Sequence, residues 1–218
     1  MQIAIDGPAG AGKSTVAKTL AQILNFIYVD TGAMYRALTW RALELGTDFS
    51  DETALVGLAQ DTNIDFAYVD GQQVVCCNGV EIETAIRSPQ VSGAVSALAA
   101  IPGLREVMVV KQRTIASGRD VVMDGRDIGE IVLPLADYKF FITADLTARS
   151  HRRYLDLLAQ GHRVEEAMVA HDMEERDRRD AERPVGALKE LPDSIVIDTT
   201  DLSIDEVLAK IKQEMGLA

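Results

Sequence analysis

The chain has 218 residues, of which 47% are hydrophobic and 26% charged, and its formal net charge is -12. That length accommodates one substantial core, or one core carrying a smaller insert. The negative balance argues against nucleic acid or an anionic membrane as the main partner, and it requires that any polyphosphate be held by local positive groups.

The first apolar run is Ile3-Ala4-Ile5, followed at once by Gly7-Pro8-Ala9-Gly10-Ala11-Gly12-Lys13-Ser14. This matches the phosphate-cradling loop in its required frame of strand, glycine-rich loop and helix. Gly7, Gly10 and Gly12 permit backbone angles that a Cβ forbids, and Pro8 stiffens the loop. Lys13 is expected to reach the β- and γ-phosphates. Ser14 is placed to offer a hydroxyl to Mg²⁺, and Thr15 one to a phosphate oxygen. The helix beginning near Lys13 adds its positive end, with Val16, Leu20, Ile23 and Leu24 as the expected apolar face. A bound nucleoside triphosphate is the reading.

Further along, Phe26–Asp30, Val121–Asp124, Tyr138–Thr143 and Ile195–Asp198 repeat the pattern of a short apolar run ending in a polar residue. With Ile3–Asp6 they make five strands separated by helical patterns. This predicts an α/β fold with a central five-stranded parallel sheet covered on both faces. Ligands in such sheets bind beyond the carboxyl ends of the strands, here marked by Asp6, Asp30, Asp124 and Asp198. Strand ends or helix caps are the plain alternative for Asp6, Asp30 and Asp198, and the preferred one for Asp198.

Ile64–Val69, Gln72–Cys77 and Val80–Ile82 interrupt this rhythm, joined at Asp70-Gly71 and Asn78-Gly79. Both dipeptides are hairpin signals, so a small antiparallel β insert is expected over about 58–104, flanked by a helix at Pro89 to Ala100. Residues 144–183 read as helical and hold eight of the fifteen arginines, outnumbered by acidic residues in the same stretch. Arg149, Arg152 and Arg153 share one helix face, and Arg176, Arg179, Asp180 and Arg183 another, with a turn at Gln160-Gly161-His162 between them. Glu174 and Arg178 are spaced as a helix ion pair. A final helix, Ser203 to Met215, is capped by Ser203 or Asp201.

Cys76 and Cys77 are adjacent, with no third cysteine to pair with, which favours a reducing compartment. His151, His162 and His171 lack metal-ligand spacing. The chain opens without a cationic leader ahead of an apolar segment, and it contains no apolar run of about 18 residues. A cytoplasmic protein without a membrane span is expected.

A phosphate loop alone does not separate a kinase from a hydrolase or a switch. A kinase needs a second anion site, for which Arg36, Arg105, Arg126 and Arg183 are candidates because guanidinium groups bind phosphate in a two-pronged fork. Three longer stretches narrow the choice: Asp30-Thr31-Gly32-Ala33-Met34-Tyr35-Arg36, Asp124-Gly125-Arg126-Asp127-Ile128-Gly129, and Glu175-Arg176-Asp177-Arg178-Arg179-Asp180. Together with the loop and Ala148-Arg149-Ser150-His151-Arg152-Arg153, they give the chain a resemblance, over essentially its whole length, to the bacterial cytidylate kinases, nucleoside monophosphate kinases of the P-loop class.

The resemblance implies a P-loop NTPase three-layer fold with a core of about 1–57, 105–148 and 184–218. It also implies a monophosphate-binding insert of about 58–104 and an arginine-rich helical lid of about 149–183. It implies transfer of the γ-phosphate of ATP to CMP and dCMP, with Mg²⁺, by a monomer. By position, Thr31, Ser96, Arg105 and Asp127 would contact cytidine, with Tyr35 beside them. Arg36, Arg126 and Arg183 would face its phosphate or base, and Arg176 and Asp180 its ribose. Lys13, Arg126, Arg183, Arg152 and Arg153 would act in transfer, and Arg149 would belong to the donor site and lid. Asp124, ending its strand, would order Mg²⁺ with Ser14. Position 31 is Thr where Ser is equally familiar, and the hydroxyl is kept. The physics agrees: Asp127 can accept from the cytosine amine, and Arg105 and Ser96 can donate to O2 and N3. Uracil would face the carboxylate with an oxygen, a mismatch costing ~1–3 kcal/mol or more. A kinase for UMP, AMP or shikimate is the alternative. A guanine-nucleotide switch is disfavoured because Asn-Lys-x-Asp is missing.

Overall fold

The computed structural model describes residues 1–70 and 72–217. They form two compact units, Met1–Tyr28 with Gly118–Ala218, and Val29–Ser117.

The first unit is built on a parallel sheet. Strand β1 is Gln2–Asp6 and α1 is Lys13–Leu24, followed by β2, Ile27–Asp30, which leads into the second unit. After the second unit, which supplies β3–β5 and α2–α5, come β6 (Val121–Gly125), β7 (Tyr138–Thr143), α6 (Leu146–Ala159), α7 (Glu166–Ala181), β8 (Ile195–Asp198) and α8 (Ile204–Glu214). The sheet order is β2-β6-β1-β7-β8. Register aligns Asp6 with Gly125 on one side of β1 and with Phe141 on the other. Ile3, Ala4 and Ile5 are all buried, as are Val121, Val122 and Met123, because side chains pointing to both faces are covered. Strand order reverses at β1, so the loop after it opens at the place where such sheets take ligands.

Helix α1 packs against α8, and the core includes Val16, Leu20, Phe140, Ile142, Ile197 and Ile211. Ile23 departs from the expected α1 face and is 47% exposed. It lies in the last turn, at the margin of a stripe that Ala17, Leu20 and Ala21 fill instead. Helix α8 carries the full capping box, with the Ser203 side chain on the Glu206 amide and the Glu206 carboxylate on the Ser203 amide. Helix α6 ends at Ala159 and the chain turns at Gly161, φ 82°. Arg178 pairs with Glu175 and Glu182, not with Glu174: the former sits one turn back and the latter one turn ahead, and they share its guanidinium.

The second unit comprises α2 (Thr31–Glu44), α3 (Glu52–Asp61), β3 (Ile64–Val69), β4 (Gln72–Cys77), β5 (Val80–Glu81), α4 (Pro89–Leu98) and α5 (Pro102–Ala116). The three strands form an antiparallel sheet in the order β3-β4-β5. Asn78 and Gly79 have φ of 49° and 80°, the paired positive angles of a tight hairpin. Asp70 has φ 50°, and its neighbour Gly71 lies outside the described residues. Helix α2 packs on β4 and α4, and α3 on α5. Asp30, Asp51 and Ser88 cap α2, α3 and α4 through their side chains. Both cysteines are free thiols, Cys77 buried. Among the described residues no single helix is long and apolar enough to cross a membrane.

Candidate active site

In the first unit, the glycine-rich loop runs from the end of β1 into α1. Gly7 has φ 147°, and a Cβ there would lie 1.9 Å from the Ile142 carbonyl oxygen, so only glycine lets the loop lie against β7. Gly10, φ 76°, is constrained less severely: a Cβ would come within 2.9 Å of Met173 Cε and 3.0 Å of the Arg149 carbonyl. Helices α6 and α7 thus reach the loop directly. Lys13 opens α1 and is buried, its Nζ donating to the Pro8 carbonyl at 2.6 Å. Burial and the neighbouring Arg126 and Arg176 pull its pKa down to about 7, against the pull of Asp124 and Asp6. A buried ammonium with two guanidinium groups in electrostatic range is a place that wants an anion.

The Ser14 hydroxyl donates to Asp124 Oδ2 at 2.7 Å and the Tyr28 hydroxyl to Oδ1 at 3.0 Å. A hydroxyl and a carboxylate side by side are hard oxygen donors. They suit Mg²⁺, which takes one or two protein oxygens and fills its remaining sites with water and phosphate.

Arg126, directly after β6, donates its Nε to Asp180 Oδ2 at 2.7 Å, and Arg183 pairs with Asp180 Oδ1. Asp180 is 1% exposed. Burial pushes its carboxyl up, but Arg126 and Arg183 outweigh it and hold the group below the usual carboxylate range. The α6 arginines divide. Arg149 is buried, donating to the carbonyls of Ala144 and Ala9 and to Asp177 Oδ2, at 2.9, 3.1 and 2.6 Å. Arg152 donates to the Thr199 and Thr200 carbonyls at 2.6 and 3.1 Å and to the Thr199 hydroxyl at 3.2 Å, which links it to the cradle at one remove. Arg153 is half-buried on the same helix.

Three partnerships here carried no sequence signal. Thr199 is buried and its hydroxyl donates to the Ala11 carbonyl of the loop. Asp177 anchors Arg149. Asp6 is neither a helix cap within its own segment nor an idle strand end: it accepts from the amides of Ile128 and Gly129. Asp30 and Asp198 follow the plainer reading, Asp30 capping α2 and Asp198 accepting from Thr200.

The second unit gathers its own polar set. Arg105 on α5 is 3% exposed, donates to the Ala99 carbonyl at 3.1 Å, and holds its guanidinium carbon 5.6 Å from the centre of the Tyr35 ring. Thr31 and Tyr35 on α2 and Ser96 on α4 are buried. Arg36 donates to Asp30 Oδ2 at 3.0 Å, while its buried Nε has no hydrogen-bond partner among the described residues. Buried donors of this kind are costly unless a ligand accepts them. Asp127, of the first unit, is buried immediately after Arg126.

A parallel sheet with a phosphate cradle at its switch point, a hydroxyl–carboxylate pair beside it and buried arginines nearby define a P-loop protein equipped for phosphoryl groups. The model of the family described as cytidylate kinase matches residues 3–216, and the chain belongs to that family. It is 47% identical over 213 residues to the cytidylate kinase of Lactobacillus gasseri, covering 98% of this chain and 93% of that one. It is 49% identical over 210 residues to that of Symbiobacterium thermophilum, covering 96% and 93%. A crystal structure of shikimate kinase from Bacteroides thetaiotaomicron shares the fold, with TM-score 0.52 and 13% identity over 100% of this chain and 99% of that one.

Proposed function

We propose that this chain transfers the γ-phosphate of ATP to CMP and dCMP, giving ADP and the diphosphate. The observation that carries this reading is the cation cluster around the buried Lys13 in the first unit. Lys13, Arg126 and Arg176 lie close enough for the arginines to depress the lysine, in a protein whose net charge is -12 and whose family is cytidylate kinase. So much positive charge is gathered at one place, with Lys13 buried and Arg126 and Arg176 half-buried, because polyanions are brought there.

Gly7, Pro8, Ala9, Gly10, Ala11, Gly12, Lys13, Ser14 and Thr15 hold the donor phosphates, with Arg149 bracing the loop from α6. Ser14 and Asp124 would hold Mg²⁺, which when bound would neutralise charge on the donor phosphates. Thr31, Tyr35, Ser96 and Arg105 serve the base, and Asp127 accepts from its amine. Arg36, Arg126 and Arg183 serve the acceptor phosphate, and Arg176 and Asp180 the ribose. Arg152 and Arg153 act from the 149–183 lid, where excluding water protects the donor from hydrolysis. No side chain needs to act as a base, because the attacking phosphate oxygen is already anionic. The free thiols suit the cytoplasm, and the enzyme works as a monomer. A coupled assay of ADP release over CMP, dCMP, UMP, AMP and shikimate tests the reading. CMP is expected to lead by kcat/KM, and UMP or AMP matching it would overturn the assignment.

A further inference from the structure

The chain after β6 makes a single π-helical turn, Ile128–Val132. The first amides of any helical turn lack partners within it and need an outside acceptor. The usual donor of that acceptor is the residue just before the turn. Here that residue is Asp127, whose side chain makes no cap hydrogen bond. The task falls to Asp6, more than a hundred residues earlier in the chain.

Asp6 ends β1, beside Gly125 at the end of β6. Its two oxygens divide the work: Oδ1 accepts from Ile128 N and Oδ2 from Gly129 N, each at 2.8 Å. The carboxylate is 6% exposed. Gly129 lies in close packing with the clamp: a Cβ there would make ordinary contact with Asp6 Oδ2 at 3.4 Å and would meet the Lys139 and Leu191 side chains at 3.2 and 3.3 Å. The peptide groups on the C-terminal side of Asp127 are therefore fixed by a clamp from another strand. The next residue after Asp6 is Gly7 of the cradle, so one side chain sits at the root of the donor loop and grips the loop that carries Asp127.

We infer that Asp6 is a positioning residue for acceptor selection, holding the 127–129 backbone so that the Asp127 carboxylate meets the cytosine amine. This rests on the proposed function. A merely structural Asp6 would support the adjoining cradle as much as the distant turn, and its loss would harm both nucleotides alike. A positioning Asp6 makes the loss selective.

Asp6→Asn keeps size and one acceptor but turns an N–H towards an N–H. Exchange of the Ile128 and Gly129 amides, read by hydrogen-exchange NMR without ligand, is expected to quicken about tenfold on loss of one buried hydrogen bond. KM for CMP is expected to rise about tenfold and the preference for CMP over UMP to fall, while KM for ATP, which feels only the charge lost beside Lys13, rises clearly less. Asp6→Glu keeps the charge and both acceptor oxygens but shifts them by one methylene, and is expected to give the same selective loss; it decides the matter if Asp6→Asn does not fold. Unchanged amide exchange, or equal losses for ATP and CMP, overturns the inference. A wild-type enzyme that fails to favour CMP in the acceptor panel overturns the proposed function instead, and leaves the amide result standing.

Discussion

Asp180 offers a direct test of how the arginines of the first unit are held. Its carboxylate is 1% exposed and joins two guanidinium groups, with the Arg126 and Arg183 side chains only 16% and 9% exposed. Asp180→Ala leaves both cations buried without their shared counter-ion. Removing one partner of a buried pair costs about 3–5 kcal/mol, and Asp180 serves two partners, which places the variant at the upper end. For a chain of this size that is a fall in Tm of roughly 10–15 °C. Asp180→Asn keeps the shape and one acceptor but loses the charge, so about half the penalty is expected. Urea unfolding of the three proteins at neutral pH measures both values. Because the folded-state pKa of Asp180 is depressed, its stabilisation is present above the unfolded carboxylate range and is lost as pH falls through the folded value. The advantage of wild type over Asp180→Asn should therefore shrink below about pH 4. An Ala variant within about 1 kcal/mol of wild type, or an advantage that persists in acid, would refute the account.

Arg105→Ala removes buried charged donors from the proposed base site and is expected to lower kcat/KM for CMP by ~10²–10³, leaving ATP affinity measured by calorimetry unchanged. Gly7→Ala forces a methyl against the Ile142 carbonyl, so ATP binding is expected to be lost together with several degrees of Tm, by the same two measurements. Asp6 has the opposite pH sign from Asp180. Burial raises its pKa from 3.8 to about 6, so its carboxylate form is costly, and stability should decline by about 3 kcal/mol as pH rises from about 4 to 6. Asp6→Asn should flatten that stretch of a pH–stability curve from urea titration.

The apolar runs located every strand of both sheets to within a residue or two, because continuous burial leaves a continuous apolar signal. Hairpin dipeptides set the β3–β4–β5 register for the same local reason, and Ser203 with Glu206 announced the last helix. Long-range polar partners are a different matter. The seat of Asp6 on the 128–129 amides spans two strands that are neighbours only in the folded sheet, and acceptance by a carboxylate leaves no periodic trace. Thr199 on the Ala11 carbonyl and Asp177 on Arg149 are hidden likewise. Arg152 and Arg149 share a helix face in sequence, yet one turn of α6 sends the second directly onto the cradle and the first to the residues after β8, from which it reaches the cradle only through Thr199. Spacing assigns residues to a face, and only packing decides what each tip touches.

Lys13 donates to a carbonyl of its own loop, and burial beside Arg126 lowers its pKa to about 7. Phosphate oxygens arriving there would raise the pKa again, so nucleotide capture near neutral pH is expected to be accompanied by uptake of a proton from solution. The heat of binding then depends on the buffer that gives up that proton, and affinity slackens as the medium turns alkaline. The protein thereby registers the charge of its guest as an uptake of acid.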